Sequence, residues 1–279
     1  MRNMKIYKWL LSCFLRGKFK MVDISGAASA LFEARRTLDP IGPVRDTYAV
    51  ATPVEAYEVQ EENTRRYLAD GRVLVGRKIG LTSVAVQQQL GVDEPDFGML
   101  WGDSGYQPGD DIPISGFMQP KVEVEIAFRM GRDVSDPDIT IPDLSAAVDS
   151  VFAAVEIVDS AVANWDIRLV DTIADNASGG GYVIGNDPHR LGEFDLRLCG
   201  MALSRGGSDV SLGVGAACLG TPLNAVQWLA RKMIAVGRPL KTGDLVLSGA
   251  LGPMVAVEAG DRFDVSVAGF SPFSIFFSR

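Results

Sequence analysis

Two stretches decide how this chain is read: Lys121-Val122-Glu123-Val124-Glu125-Ile126-Ala127-Phe128, and Val151-Phe152-Ala153-Ala154-Val155-Glu156-Ile157-Val158. In the first, Val122, Val124, Ile126 and Phe128 alternate strictly with the residues between them, the period of a β-strand. Glu123 and Glu125 therefore share the opposite face. Two carboxylates on one partly buried face repel, and a bound cation or a raised pKa removes the conflict. Hard oxygen ligands on a rigid strand suit Mg2+ or Mn2+. A solvated outer face of an antiparallel strand accounts for the same alternation.

The second stretch is almost wholly apolar, as in a strand buried on both faces, with one glutamate in its middle. A buried carboxylate is costly unless it is paired, protonated or coordinated. A salt bridge from a distant Arg or Lys would satisfy Glu156; so would a metal shared with Glu123 and Glu125. Spacing alone does not bring the three together.

Working outward, Ile24 to Leu38 reads as an amphipathic helix with Asp23 as N-cap and Asp39-Pro40 as its stop. Thr52-Pro53-Val54-Glu55 is a capping box opening a helix to about Ala69, ended by Gly71. Val73-Leu74-Val75 starts a strand that delivers Lys78 to a glycine turn at Gly80. Beyond about residue 100 the texture is that of short strands, at 121–128, 151–158, 182–184, 195–203, 245–247, 254–257, 262–267 and 273–277. One helix intervenes, capped by Thr221 with Pro222 at its first position and Gly237 past its end. The organisation is thus a basic extension over 1–20, a mainly helical part over 21–100 and a β-rich catalytic part over 101–279.

The formal net charge of −8 argues against nucleic acid, whose phosphates demand a basic surface. Residues 1–20 hold six basic residues and no acid, leaving 21 basic and 35 acidic residues in the body. An acidic body that acts on an anion must supply local positive charge from a metal or a few placed Lys and Arg. The apolar run Trp9 to Leu15 is too short to span a bilayer, and Arg16, Lys18 and Lys20 are wrong for a signal peptide. Residues 1–20 are read as an extension ahead of a natural start at Met21. Cys13, Cys199 and Cys218 show no CxxC spacing or disulfide framework, which fits a reducing cytoplasm. His189 is the one histidine, in an apparent surface turn, so a histidine zinc site and a Ser-His-Asp triad are disfavoured.

Lys78, between apolar residues and a glycine, can point into a cleft to bind a carboxylate or stabilise an enolate; a snorkelling surface lysine is the plain alternative. Asp96 could pair with it or cap a local turn. Gly179-Gly180-Gly181 and Gly213-Val214-Gly215 lack the strand-loop-helix context and the acidic residue of a dinucleotide site.

Taken together, Arg77-Lys78-Ile79-Gly80-Leu81-Thr82, Asp93-Glu94-Pro95-Asp96-Phe97-Gly98, Lys121 to Glu125, Glu156-Ile157-Val158-Asp159-Ser160, Asp171 to Ser178 and Gly249-Ala250-Leu251-Gly252-Pro253-Met254 resemble the 2-keto-4-pentenoate hydratases of the fumarylacetoacetate hydrolase superfamily. The likeness covers about residues 24–279. It implies an α+β fold, a helical N-terminal part followed by a mixed β-sheet roll, in a homo-oligomer; the charge and the short apolar run already argue against nucleic-acid and membrane partners. It also implies Mg2+ or Mn2+ on Glu123, Glu125 and Glu156, Lys78 and Asp96 as catalytic groups, and Ser178, Ser248, Gly249, Ala250 and Leu251 around a small 2-hydroxy-dienoate. The implied reaction is hydration in meta-cleavage degradation of aromatic compounds. A sister family, the 4-oxalocrotonate decarboxylases, has the same metal triad. A non-catalytic partner subunit is a third reading, against which the intact Lys78 and glutamates argue. Ala161 departs from the resemblance, standing where the family often has arginine.

Overall fold

The computed structural model describes residues 21–83, 87–88 and 92–279; the basic extension over 1–20 lies outside them. Helix α1 (Ile24–Thr37) starts where the Asp23 carboxylate accepts the Gly26 N–H at 2.8 Å, and it stops at Leu38, which takes a left-handed φ of 57°. After the single turn α2 (Val44–Thr47), α3 (Pro53–Ala69) opens with the expected capping box between Thr52 and Glu55. Ala27, Ala28, Leu31, Ala34, Ala56 and Val59 pack these helices together. No described helix is long and apolar enough to cross a membrane.

The chain then enters strands. These are β1 (Leu74–Gly80), β2 (Asp96–Trp101), β3 (Gly105–Tyr106), β4 (Asp111–Pro113) and β5 (Lys121–Met130). After the short helix α4 (Ile141–Ser145) comes β6 (Val148–Val158), then α5 (Leu169–Ala174) and β7 (Gly179–Ile184). Hairpin β8 (Gly200–Arg205) and β9 (Ser208–Val214) precedes α6 (Pro222–Ala235), and β10 (Leu245–Leu247), β11 (Val255–Ala256), β12 (Arg262–Val267) and β13 (Phe273–Ser278) complete the fold.

The larger sheet runs β2-β1-β10-β5-β6-β7-β3, with β11 also on β5; the smaller runs β4-β13-β12-β8-β9. The larger sheet curls until its two flanks meet. There Tyr182 donates its hydroxyl to the Trp101 carbonyl (3.3 Å), and the Asn176 amide brackets Met99, accepting its N–H at 2.7 Å and donating to its C=O at 3.0 Å. Val122, Val124, Ile126 and Phe128 line the convex face and share one core with Phe263, Val265, Ile275 and Phe277 of the smaller sheet and with Leu229 and Met233 of α6. This is the α+β architecture the sequence implies.

Three local readings change. Asp96 neither caps a turn nor ends one: it begins β2, whose six residues are all buried. Gly80 is not in a turn either, since β1 continues through it and pairs Gly80 with Asp96. The strand expected over 195–203 begins only at Gly200, because Asp195 folds a turn, its carboxylate accepting Arg197 N–H at 2.8 Å and its carbonyl Leu198 N–H at 3.1 Å. Strand β9 had no clear signal, its outward residues Val210, Leu212 and Val214 being apolar and exposed rather than polar.

Candidate active site and metal centre

Strand pairing assembles the site. In the antiparallel pair β5–β6, Glu123 lies directly opposite Glu156 and Glu125 opposite Ala154, so all three carboxylates stand on the concave face of the curled sheet. Each offers an oxygen within 4.8 Å of the others'. Glu125 is fully buried and Glu156 is 1% exposed. Glu125 Oε2 accepts the Gly249 N–H at 2.8 Å, whereas Glu125 Oε1 and both oxygens of Glu156 are buried without a hydrogen-bond partner.

Across the concavity, β1 supplies the counter-charge and β2 a fourth carboxyl. Lys78 Nζ stands 3.0 Å from Glu156 Oε1, a contact of charge rather than an aligned hydrogen bond, and donates to the Ala177 carbonyl at 2.9 Å. Asp96 lies beside it, with Oδ1 buried and unpartnered. Only glycine fits at position 80: a Cβ there would sit 2.2 Å from Asp96 Oδ1 and 3.4 Å from Lys78 Nζ.

Charge and dryness set the ionisation. Burial, reinforced by the Glu156 charge, lifts Glu123 to about 7, and burial opposed by Lys78 leaves Asp96 at about 6. Glu125 is raised well above the usual carboxylate range by burial and by the charges of Glu156 and Glu123. Burial pulls Lys78 down, yet the charges of Glu156, Asp96, Glu125 and Glu123 together carry it above an ordinary lysine, so it remains an ammonium. Four carboxyls thus face one cation. A divalent ion fits this set: it would satisfy the orphaned carboxylate oxygens and offset the surplus negative charge.

The sequence candidates divide. Lys78, Asp96, Glu123, Glu125 and Glu156 converge, and Gly249 joins them through its N–H at a left-handed φ of 98° that excludes side chains. The other members are held in packing. Ser178 Oγ pairs with Thr172 Oγ1 at 3.1 Å, Ser248 Oγ donates to the Gly249 carbonyl, and Leu251 is fully buried in the main core. Ala250 is half-buried beside Gly249.

Several supporting residues escaped sequence reasoning. Gln60, on α3, donates to the carbonyls of Phe97 and Ile173 and so seats the helices against β2. Arg35, on α1, bridges Asp159 and Asp175. Residues 176–178 are all left-handed although none is glycine. Such contacts between distant segments leave no periodic trace; only the Asp175-Asn176 dipeptide, which tolerates that conformation, offered a local sign. Arg35 also supplies the guanidinium close to Ala161, whose N–H donates to Asp175 Oδ2 at 2.7 Å.

Known proteins fit this geometry. The fumarylacetoacetate (FAA) hydrolase C-terminal family matches residues 75–274. The chain is 55% identical over 253 residues to the TodF product hydratase of Pseudomonas putida F1, covering 91% of this chain and 94% of that protein. It is 54% identical over 254 residues to 2-keto-4-pentenoate hydratase 1 of Dechloromonas aromatica, covering 90% and 96%. Among solved structures, 4-oxalocrotonate decarboxylase from Pseudomonas putida G7, complexed with magnesium and adipate, superposes with a TM-score of 0.88 at 33% identity, over 91% of this chain and 97% of that one.

Proposed function

Because the chain belongs to the fumarylacetoacetate hydrolase family, we propose that it is a divalent-metal-dependent 2-keto-4-pentenoate hydratase acting in the meta-cleavage degradation of aromatic compounds. The observation that carries the chemistry is the ring of half-buried Glu123 and buried Glu125 and Glu156, faced by the Lys78 ammonium. Identity of 54–55% to hydratases against 33% to the decarboxylase favours hydration over decarboxylation.

The substrate is 2-hydroxypenta-2,4-dienoate and the product 4-hydroxy-2-oxopentanoate. Overall, the enol proton is lost, C5 gains a proton, and water adds across C3–C4 with its hydroxyl on C4. Glu123, Glu125 and Glu156 would hold Mg2+ or Mn2+, which when bound supplies Lewis-acid polarisation of a 2-oxo acid. Lys78, fixed by Ala177, presents its charge where the dienolate becomes more negative, so it stabilises the transition state more than the ground state. Asp96, at about 6, titrates near neutrality and is suited to carry a proton between substrate carbon and oxygen. Gly249 and Ala250 bound the substrate from the β10 side, with Ser178, Ser248 and Leu251 behind them.

The exposed apolar row Val210, Leu212 and Val214 on the edge strand β9, with Leu198 and Met254 also exposed, supports a homo-oligomer. Free Cys199 and Cys218 fit a reducing cytoplasm.

The test is to incubate 2-hydroxypentadienoate and 2-oxo-hex-3-enedioate separately with enzyme and Mg2+ and identify products by mass. Hydration of the first without comparable CO2 release from the second is expected; efficient CO2 release moves the assignment to the decarboxylase. In the same assay Lys78→Met should fold, bind Mg2+ and turn over at least about a hundredfold more slowly. Near-normal turnover removes Lys78 from the chemistry.

A further inference from the structure

We infer that Arg35 is a positioning residue for the reaction: acting through Asp175 and the left-handed turn 176–178, it fixes the Ala177 carbonyl that aims the Lys78 ammonium. The inference rests on the role proposed above for Lys78. Arg35 lies on α1, outside the segment that the hydrolase family matches, so the helical N-terminal part becomes a contributor to the site.

Each link is a specific contact. Arg35 Nε and Nη2 donate to the two oxygens of Asp175 at 2.9 and 2.8 Å, a two-pronged grip that only a guanidinium makes. The same group reaches Asp159 through its carboxylate at 3.3 Å and its carbonyl. Asp159 in turn accepts the N–H groups of Met118 and Gln119, so the anchor is tied to rigid backbone. Asp175 is 3% exposed and, apart from Arg35, its carboxylate accepts only the Ala161 N–H.

Directly after Asp175 come Asn176, Ala177 and Ser178 with φ of 56°, 52° and 54°. Three successive left-handed residues without glycine are disfavoured and persist only where their surroundings over-determine them. Asn176 is held by Met99 and Ser178 by Thr172; Ala177 has only a buried methyl and no side-chain hydrogen bond to hold it. Its carbonyl is nevertheless the hydrogen-bond acceptor for Lys78 Nζ. The direction of that carbonyl is therefore set by the ends of the turn, and the N-terminal end is the residue Arg35 grips. Without the guanidinium, Asp175 becomes a buried carboxylate with one neutral donor, and the turn loses the anchor at its N-terminal end.

A strut that merely fastened α1 to the sheet would change stability without singling out Lys78, so the decisive measurement is a double-mutant cycle. Arg35→Ala should lower kcat about 10–100-fold while KM and the Mg2+ dissociation constant measured by calorimetry stay within about threefold. In the Lys78→Met background the same substitution should add less than about twofold, since the group it positions is gone. Arg35 and Asp175 both line a cavity of about 430 Å3, so millimolar guanidinium should restore part of the Arg35→Ala loss where ammonium and urea do not. Asp175→Asn, which keeps the shape, should reproduce the kcat loss and serves if Arg35→Ala does not fold. Normal kcat in a folded variant, or an equal fold-loss with and without Lys78, overturns the inference. Near-normal turnover by Lys78→Met alone would instead overturn the role of Lys78.

Discussion

The concave face of the curled sheet has two ends built from the same strands. At one, Leu100, Ala127, Phe152, Ala154, Tyr182, Leu245 and Leu247 form a dry apolar cluster. At the other, Lys78, Asp96, Glu123, Glu125 and Glu156 crowd four carboxyls and an ammonium together, all buried except the half-buried Glu123. The switch takes two residues on β5 and β6, Glu125 to Ala127 and Glu156 to Ala154, and four on β2, Asp96 through Gly98 to Leu100. Backbone geometry is shared, so the difference between the ends is chemical. One end stabilises the fold by removing apolar surface from water. The other gives up stability to hold charges that, on the function proposed above, attract an ion and an anionic substrate.

The largest effect that could break this comparison is at the charged end. Glu125→Leu replaces a raised, buried carboxyl with an apolar group of similar volume. Turnover should fall at least about a thousandfold, the share of several kcal/mol that a bound divalent ion contributes. The melting temperature of the metal-free protein should not fall, because exchanging a buried ionisable group for a hydrophobe is often neutral or stabilising. A clear drop in that melting temperature shows that the charged end stabilises the fold after all.

The apolar end should respond in reverse. Phe152→Ala opens a cavity beneath the ring and should cost about 3–5 kcal/mol of stability by denaturant unfolding. Its kcat, measured on folded enzyme, should remain within about threefold of wild type. A kcat loss as deep as that of Glu125→Leu would falsify the separation of the two ends.

The same contrast explains what was legible in the sequence. Alternation in Lys121 to Phe128 and the single glutamate in Val151 to Val158 fixed strand faces, because period two is a local property. Convergence of Glu123 with Glu156 is a matter of β5–β6 register, which no single segment encodes; the family resemblance anticipated that they meet. Of the two readings left open for Asp96, the turn cap was suggested by Asp93, Glu94 and Pro95 before it, whereas Phe97, Met99, Leu100 and Trp101 carry the strand that it begins. The roles of Arg35 and Asn176 left no local trace because their partners lie 140 and 77 residues away. Ser248 and Leu251 carried a pocket expectation; the Ser248 hydroxyl donates to the Gly249 carbonyl and Leu251 is fully buried, and neither placement leaves a periodic signal.

The smallest effect sharpens the comparison without any mutation, through pH. Burial raises Asp96 to about 6 and Glu123 to about 7, and burial with the charges of Glu156 and Glu123 holds Glu125 well above the usual carboxylate range. A carboxyl whose folded pKa is raised keeps a proton that the unfolded chain has released, so its contribution to stability declines as pH rises from its unfolded to its folded value. Between about pH 4 and 7 the charged end therefore increasingly destabilises the metal-free fold. Ion binding requires the same groups deprotonated, so it strengthens over that interval and removes their repulsion. Both trends enlarge the stabilisation by Mg2+ as pH rises. Paired melts with Mg2+ and with chelator at pH 5.5, 7 and 8 isolate this, since titrating groups away from the ring cancel in the difference. The Mg2+-induced rise in melting temperature should be smallest at pH 5.5 and largest at pH 8. A shift that is constant, or greater at pH 5.5, means the three glutamates are ionised throughout and the charged end carries no stored cost for the ion to relieve.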